Sequence, residues 1–193
     1  MAFPPPQVRI SDFTFGPITS AHRESSPYNF VSTVYDFMGD AWSAEISLTH
    51  TSGPNSNLVL AWLTSLKGPK VSFELPVFDY AGPANISVNP VVAAPVPARS
   101  ELLRVHMAAD EAFSVGEFLT LGRHLHIVTA APVPLLDVQE LTVWPRLRRD
   151  LAAGAAIEAV APFGTWALSD QKNTYSRRSN GARSQRLSLV EAL

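Results

Sequence analysis

The segment AWSAEISLTH, residues 41–50, alternates between apolar and polar side chains along its whole length. This period of two is typical of a β-strand with one buried face and one wet face. The segment KVSFELP, residues 70–76, repeats the alternation, and the aromatic and β-branched run YNFVSTVYDFM, residues 28–38, predicts an earlier strand. We therefore predict a mainly β fold built outward from residues 41–50.

One short helix is predicted between the two alternating strands. Pro54 suits a first helical turn, and Gly68 with Pro69 suits a helix end. Leu58, Ala61, Trp62 and Leu66 form an i, i+3, i+4, i+8 stripe, which Leu60 and Leu63 widen, so we expect a well-buried helix. The predicted core anchors are Trp42, Trp62, Phe73 and Trp166.

The chain divides at a proline-rich stretch, residues 83–98, whose four prolines favour an extended linker. Residues 99–150 then read as a compact β module, with a type II′ hairpin turn at Gly122-Arg123. The chain ends on an apolar strand, LSLVEAL, which must pair in a sheet. We predict that residues 1–82 and 151–193 form one split β-domain around the inserted module.

Charge is distributed unevenly. Residues 1–143 hold 7 Lys+Arg and 13 Asp+Glu, a balance of −6, and residues 144–193 hold 8 and 4, a balance of +4. Arginine favours bidentate pairing with carboxylates, and a protein interface is the predicted role of the late arginines. A solvated loop is the alternative, and specific nucleic-acid binding is disfavoured by the negative net charge. The candidate interface residues are Arg146, Arg148, Arg149, Arg177, Arg178, Arg183 and Arg186.

No catalytic motif is present. There is no GxSxG, phosphate-binding or dinucleotide-binding glycine pattern, and Asp36, Asp40 and Glu45 are scattered. His124 and His126 share a strand face without a nearby acidic ligand, so we predict a satisfied or surface role for them. We expect no enzyme activity, cofactor or metal.

The absence of cysteine excludes disulfides and thiolate metal sites. No apolar run reaches the length of a membrane span, and the first residues lack the pattern of a signal peptide. We expect a protein that is made in a cytoplasm, is not secreted and has no membrane span.

Four segments resemble tail-tip proteins of siphophages. LVLAWLTSLKGPKVSFELPVFDY, residues 58–80, is similar to their A-W-L-x-x-L-[RK]-G helix and following strand. FSVGEFLTLGRHLHIVTA, residues 113–130, is similar to their V-G-D-F-[IL]-x-[IL]-G-x-x-L-H-x-V segment. WPRLRRDLAAGAAIEAV, residues 144–160, resembles their W/Y-P-x-L-R turn, and LSLVEAL their terminal strand.

The resemblance implies a distal tail protein or a related minor tail protein of the bacteriophage virion. Such proteins form a ring, usually of six copies, at the end of the tail tube. Its implied partners are other copies of itself, the tail tube protein, the tail hub that carries the receptor-binding machinery, and the tape measure protein. The implied fold is a tail-tube-like split β-barrel or sandwich with one flanking helix and a small inserted β-barrel-like module. The arginines after Trp144 would then face a neighbouring subunit.

Two other classes stay open. A monomeric sugar-binding or enzyme-accessory β-sandwich would be favoured by exposed aromatic residues in a groove, and four tryptophans are available. A tail-tip hydrolase is disfavoured because no paired acidic motif is present.

Overall fold

The computed structural model describes residues 9–25, 27–50, 54–171 and 183–192. The protein is mainly β, with 47% strand and 8% helix, one α-helix and barrel-like sheets, which confirms the predicted fold class. The described strands are β1 (Arg9–Ile18), β2 (Ala21–Ser25), β3 (Ser32–Asp36), β4 (Ala41–His50), β5 (Phe73–Pro76), β6 (Val91–Val92), β7 (Leu102–His106), β8 (Phe118–Leu121), β9 (His124–Ala130), β10 (Val138–Trp144), β11 (Ile157–Glu158), β12 (Phe163–Leu168) and β13 (Arg183–Glu191). The α-helix, α1, is Pro54–Leu66, and a short 3-10 helix, Gly68–Lys70, follows it.

The main sheet has the antiparallel order β1-β4-β13-β12-β5. Strand β13 lies between β4 and β12, with Leu187 opposite Ile46 and Glu191 opposite Trp166. The last strand therefore returns to the core of the first half, as the apolar end of the sequence predicted. The four predicted core anchors, Trp42, Trp62, Phe73 and Trp166, are all buried in this core.

Helix α1 has the predicted bounds but buries a different stripe. Val59, Trp62, Leu63 and Leu66 are buried, whereas Leu58, Leu60 and Ala61 are exposed. The expected burial of Leu58, Leu60 and Ala61 was wrong, because only one face of α1 meets the sheet. On that face the ring of Trp62 packs edge-on against Phe73, with 5.3 Å between the ring centroids. Within the described residues, no helix is long and apolar enough to cross a membrane.

The second sheet, which forms the inserted module, has the order β11-β8-β9-β10-β7-β6. Its own apolar core runs from Ile86 to Ala159. The predicted linker, residues 83–98, is therefore part of the module, and the boundary expected at residue 151 lies nearer 160.

Residues 83–98 join the module because the valines between the prolines keep backbone amides that can donate to its carbonyls. The Val92 amide donates to the Ala155 carbonyl and the Val96 amide to the Leu151 carbonyl, both at 2.9 Å. Both valine side chains are buried. An extended, proline-rich segment thus closes the edge of the module.

The hairpin between β8 and β9 occurs where predicted, with Leu121 opposite His124. Gly122 has φ 53° and Arg123 has φ 83°. Two positive φ angles define a type I′ turn, and the expected type II′ turn has only one, so the predicted turn type was wrong.

Side chains from the main sheet donate hydrogen bonds to backbone carbonyls of the module and so hold the module against the main sheet. Trp42 Nε1 donates to the Leu125 carbonyl at 2.9 Å, and Thr165 Oγ1 donates to the Arg123 carbonyl at 2.8 Å. Leu125 is itself buried in the main core. The module is therefore packed onto the main domain.

Candidate functional site

The turn after β10 carries the first arginine of the predicted interface, Arg146, and its side chain joins three segments of the same chain. Arg146 Nη2 lies 2.8 Å from Asp36 Oδ2, and Nε lies 2.8 Å from Glu101 Oε1. Asp40 Oδ2 is 3.9 Å from Nη1. The hydrogen bond from Arg146 holds the pKa of Asp36 below its usual value. Since Asp36 ends β3 and Glu101 precedes β7, Arg146 ties the β2–β3 hairpin to the module.

Arg148 enters a buried polar cluster around Glu191, near the end of β13. Arg148 Nη2 lies 3.0 Å from Glu191 Oε2 and also donates to the Asp40 carbonyl. His124 Nδ1 lies 3.3 Å from Glu191 Oε1, and the Trp42 amide donates to Oε2 at 3.3 Å. Burial raises the pKa of Glu191, but the bonds from His124 and Arg148 outweigh it and lower the pKa below its usual value. The cluster fastens the last strand to the module.

His126 lies behind this cluster and is 1% exposed. Its Nδ1 is 2.8 Å from the Pro145 carbonyl, which can only accept, so the ring proton lies on Nδ1. Burial lowers the pKa of His126 to about 4. His126 is thus a satisfied core residue, and His124 is half-buried against Glu191; neither is a free surface side chain.

The remaining predicted arginines are dispersed. Arg149 is exposed and donates from Nη2 to the Gly122 carbonyl. Arg186 lies on β13, where its Nη2 is 2.8 Å from Glu45 Oε2 at an exposed position. The backbone of Arg183 begins β13, so Arg183 and Arg186 lie on a strand, and the alternative of a solvated loop does not hold for these two residues. Arg177 and Arg178 lie outside the described residues.

The charge asymmetry of the sequence is partly neutralised inside one protomer. Arg146 pairs with Asp36 and Glu101, and Arg186 pairs with Glu45, so cations of the last fifty residues meet anions of the first 143. A contact of these arginines with a neighbouring copy stays a prediction. Among the described residues, no group of three or more His, Cys, Asp or Glu side chains is placed to hold a metal ion.

One exposed apolar surface of the described residues is the β2–β3 hairpin, which we call the hairpin arm (residues 21–25 and 27–36). Its two strands pair only with each other, and every strand residue is exposed. Phe30 near its tip is 88% exposed, and Tyr35 and Phe37 are also exposed. The predicted strand at residues 28–38 is therefore shorter, Ser32–Asp36, and stands outside the core.

A groove lined by aromatic rings opens beside the base of the arm. Its volume is about 540 Å³, and it lies between Phe15, Trp42, Phe118 and Trp144. Trp42 and Trp144 meet edge-on with centroids 4.5 Å apart. Thr19, which precedes the arm, and Thr129 supply its polar side chains, and no described residue of its lining is charged. The groove can accept apolar or aromatic groups.

A second exposed apolar patch lies on the loop between β9 and β10. Val133 is 90% exposed and Leu136 is 92% exposed. Asp137 follows directly in the chain. This patch belongs to the module and gives a comparison surface for the arm.

Sequence analysis missed both the arm and the groove. The arm has the apolar content of a buried strand, and the groove unites residues from five strands, β1, β4, β8, β9 and β10. A signal for the arm was present in its first strand, AHRES at residues 21–25, which has no apolar alternation.

Comparison with known proteins adds no family to these observations. Neither a family model nor a curated protein sequence matches the chain.

Proposed function

We propose that the protein is a structural component of a bacteriophage tail tip, a distal tail protein that forms a ring between the tail tube and the hub. The proposal joins the resemblance of four sequence segments to one structural observation that carries it. That observation is the hairpin arm, which exposes aromatic and β-branched side chains outside both cores.

An isolated two-stranded hairpin is marginally stable in water. Exposed apolar patches on soluble proteins mark surfaces that bind other proteins, and aromatic residues are enriched in such interfaces. Burial of Phe30 and Tyr35 against a partner would stabilise the complex, because it would remove their exposed apolar surface from water. The arm is therefore best explained as an assembly element.

The aromatic groove offers a receptor for such an element on another copy. Thr19 lines the groove, and the arm begins two residues later, at Ala21. Five paired residues at about 3.3 Å each place the arm tip roughly 16 Å from this base. The tip of an intact arm thus lies away from its own groove, whereas the groove of a second copy is accessible to it. Contacts between two different patches are head-to-tail, which is the contact type that generates rings.

In this role the protein acts without catalysis or cofactor. Its ring would meet the tail tube protein on one side and the hub on the other, with the tape measure protein as a further partner. Its place is the virion, after synthesis in the cytoplasm of the infected bacterium. Arg146 would support the ring by holding the arm, and Arg186 would lie on the exposed face of the main sheet.

A sugar-binding module is the second candidate, because an aromatic groove is present. Sugar and small-molecule sites also need several convergent polar groups that fix the ligand. Apart from the tryptophan indole N–H groups, the described lining supplies only the hydroxyls of Thr19 and Thr129 for this purpose. Its composition therefore favours an apolar protein side chain over a sugar.

Labelling of the protein on phage particles tests the proposal. Particles carrying an epitope tag on the exposed Leu136 loop, bound by gold-labelled antibody, should show label at the distal end of the tail in electron micrographs. Label along the tube, or particles that lack the protein, would exclude a tail-tip ring.

A further inference from the structure

We propose that a small polar pocket beside the Gly122-Arg123 turn binds a phosphate group, as inorganic phosphate or as a phosphate monoester. The pocket has a volume of about 220 Å³ and lies between Ser72, the turn, His124 and Arg149. It is smaller than the roughly 300–1,000 Å³ of sites for drug-sized ligands, which suits a single oxyanion. This inference is independent of the proposed tail-tip function.

Arg149 provides the positive charge of the pocket. Its guanidinium donates to the Gly122 carbonyl and lies directly over the glycine. A Cβ atom at position 122 would lie 2.9 Å from Arg149 Nε, so this approach requires glycine. Among the described residues, no carboxylate lies within 4.0 Å of this guanidinium, and its charge is left for a ligand.

The charge of the second arginine of the pocket, Arg123, is neutralised by a carboxylate, and its backbone is held by a hydrogen bond. Its Nε lies 3.3 Å from Glu74 Oε1, and its carbonyl accepts a hydrogen bond from Thr165 Oγ1 at 2.8 Å. Because Glu74 neutralises Arg123, the two arginines leave one net positive charge at the pocket. Arg149 is therefore the cation that a bound anion would meet.

Polar side chains complete the lining of the pocket. His124 is held by Glu191, with Nδ1 3.3 Å from Glu191 Oε1. Ser72 adds a hydroxyl donor, and Arg149 adds charge-assisted donors.

Titration calorimetry of the full chain at pH 7.5 and constant ionic strength tests the proposal. Inorganic phosphate should bind, and Arg149→Gln should weaken binding at least about tenfold because a hydrogen bond to a charged group is lost. Arg104→Gln is the matched control, since Arg104 is exposed and pairs with Glu140 elsewhere on the module. The control should bind phosphate as the unchanged protein does.

Two further ligands separate the sources of the phosphate group. Glycerol 3-phosphate should bind if the pocket takes monoesters, and failure of this ligand alone assigns it to inorganic phosphate. Dimethyl phosphate, a monoanion with two of its oxygens methylated, should bind more weakly than phosphate. Equal binding of dimethyl phosphate and phosphate, no binding of phosphate, or unchanged binding by Arg149→Gln would each overturn the proposal.

Discussion

Arg148 and Glu191 form a buried ion pair, 3.0 Å between Nη2 and Oε2, that joins the turn after the module to the last strand. Removing one member of a buried pair leaves an uncompensated charge and commonly costs about 3–5 kcal/mol. We predict that Arg148→Gln lowers the free energy of unfolding by about this amount in urea melts. Arg104→Gln, at an exposed pair with Glu140, should cost less than about 1 kcal/mol. Equal small losses in both variants would contradict the structural role of Arg148.

Arg146 should affect assembly more than folding. Its side chain contacts Asp36 at the end of the arm and Glu101 on the module, and both of these carboxylates are exposed. We predict that Arg146→Ser leaves a cooperative thermal transition but reduces oligomer mass, because the arm loses its attachment. Arg186→Ser, which breaks an exposed pair with Glu45, is the control. A reduced oligomer mass in the control alone would contradict the prediction and would indicate that the interface lies on the exposed face of the main sheet.

Stability should fall in acid because of His126. Its pKa is about 4 in the folded protein against an ordinary value of 6.5. Between these values the unfolded chain binds a proton that the folded chain does not. The free energy of unfolding should therefore decrease as the pH falls from about 6.5 towards 4, by up to about 3 kcal/mol. The lowered pKa of Glu191 adds a further loss at lower pH, as its carboxylate becomes protonated.

Urea melts of His126→Gln across this pH range measure the effect. The variant should lose the slope between pH 6.5 and 4, whereas His106→Gln, at an exposed position on β7, should keep it. A slope that persists in His126→Gln would assign the acid sensitivity to other groups.

Truncation tests the split main domain. Strand β13 pairs with β4 on one side and β12 on the other. We predict that deletion of Leu187 to Leu193 abolishes the cooperative unfolding of the main sheet, since Leu187 and Leu189 leave its core. A truncated chain with an unchanged thermal midpoint would show that the first half folds without β13.

The sequence predicts the parts of the fold that local periodicity encodes. The alternation at residues 41–50 identifies β4, the proline and glycine signals bound α1, and the apolar end predicts that β13 is paired. The exposed face of α1 was not predicted, because leucines occupy more of its circumference than the sheet covers. Periodicity identifies a helix more reliably than it identifies which of two apolar faces is buried.

The candidate site depends on contacts that local pattern does not encode. Arg146 and Asp36 are 110 positions apart, and Arg148 and Glu191 are 43 apart, so no spacing rule pairs them. Proline density predicts an extended conformation at residues 83–98 but not the amide partners that make it part of the module. The aromatic and β-branched residues of the arm resemble those of a core strand. Their exposure was not predictable, because burial depends on which other elements pack against the arm.

Light scattering of the purified protein tests most directly the claim that the hairpin arm joins copies of the chain. We predict a mass several times the protomer mass of 20.9 kDa, six times for the ring implied by the resemblance. Phe30→Ser should shift the mass towards 20.9 kDa with an unchanged thermal midpoint, because Phe30 is exposed in the protomer. Leu136→Ser, an equally exposed apolar position on the module, should keep the oligomer. A mass of 20.9 kDa for the unchanged protein at every concentration, or an oligomer that Phe30→Ser leaves intact, would contradict the account.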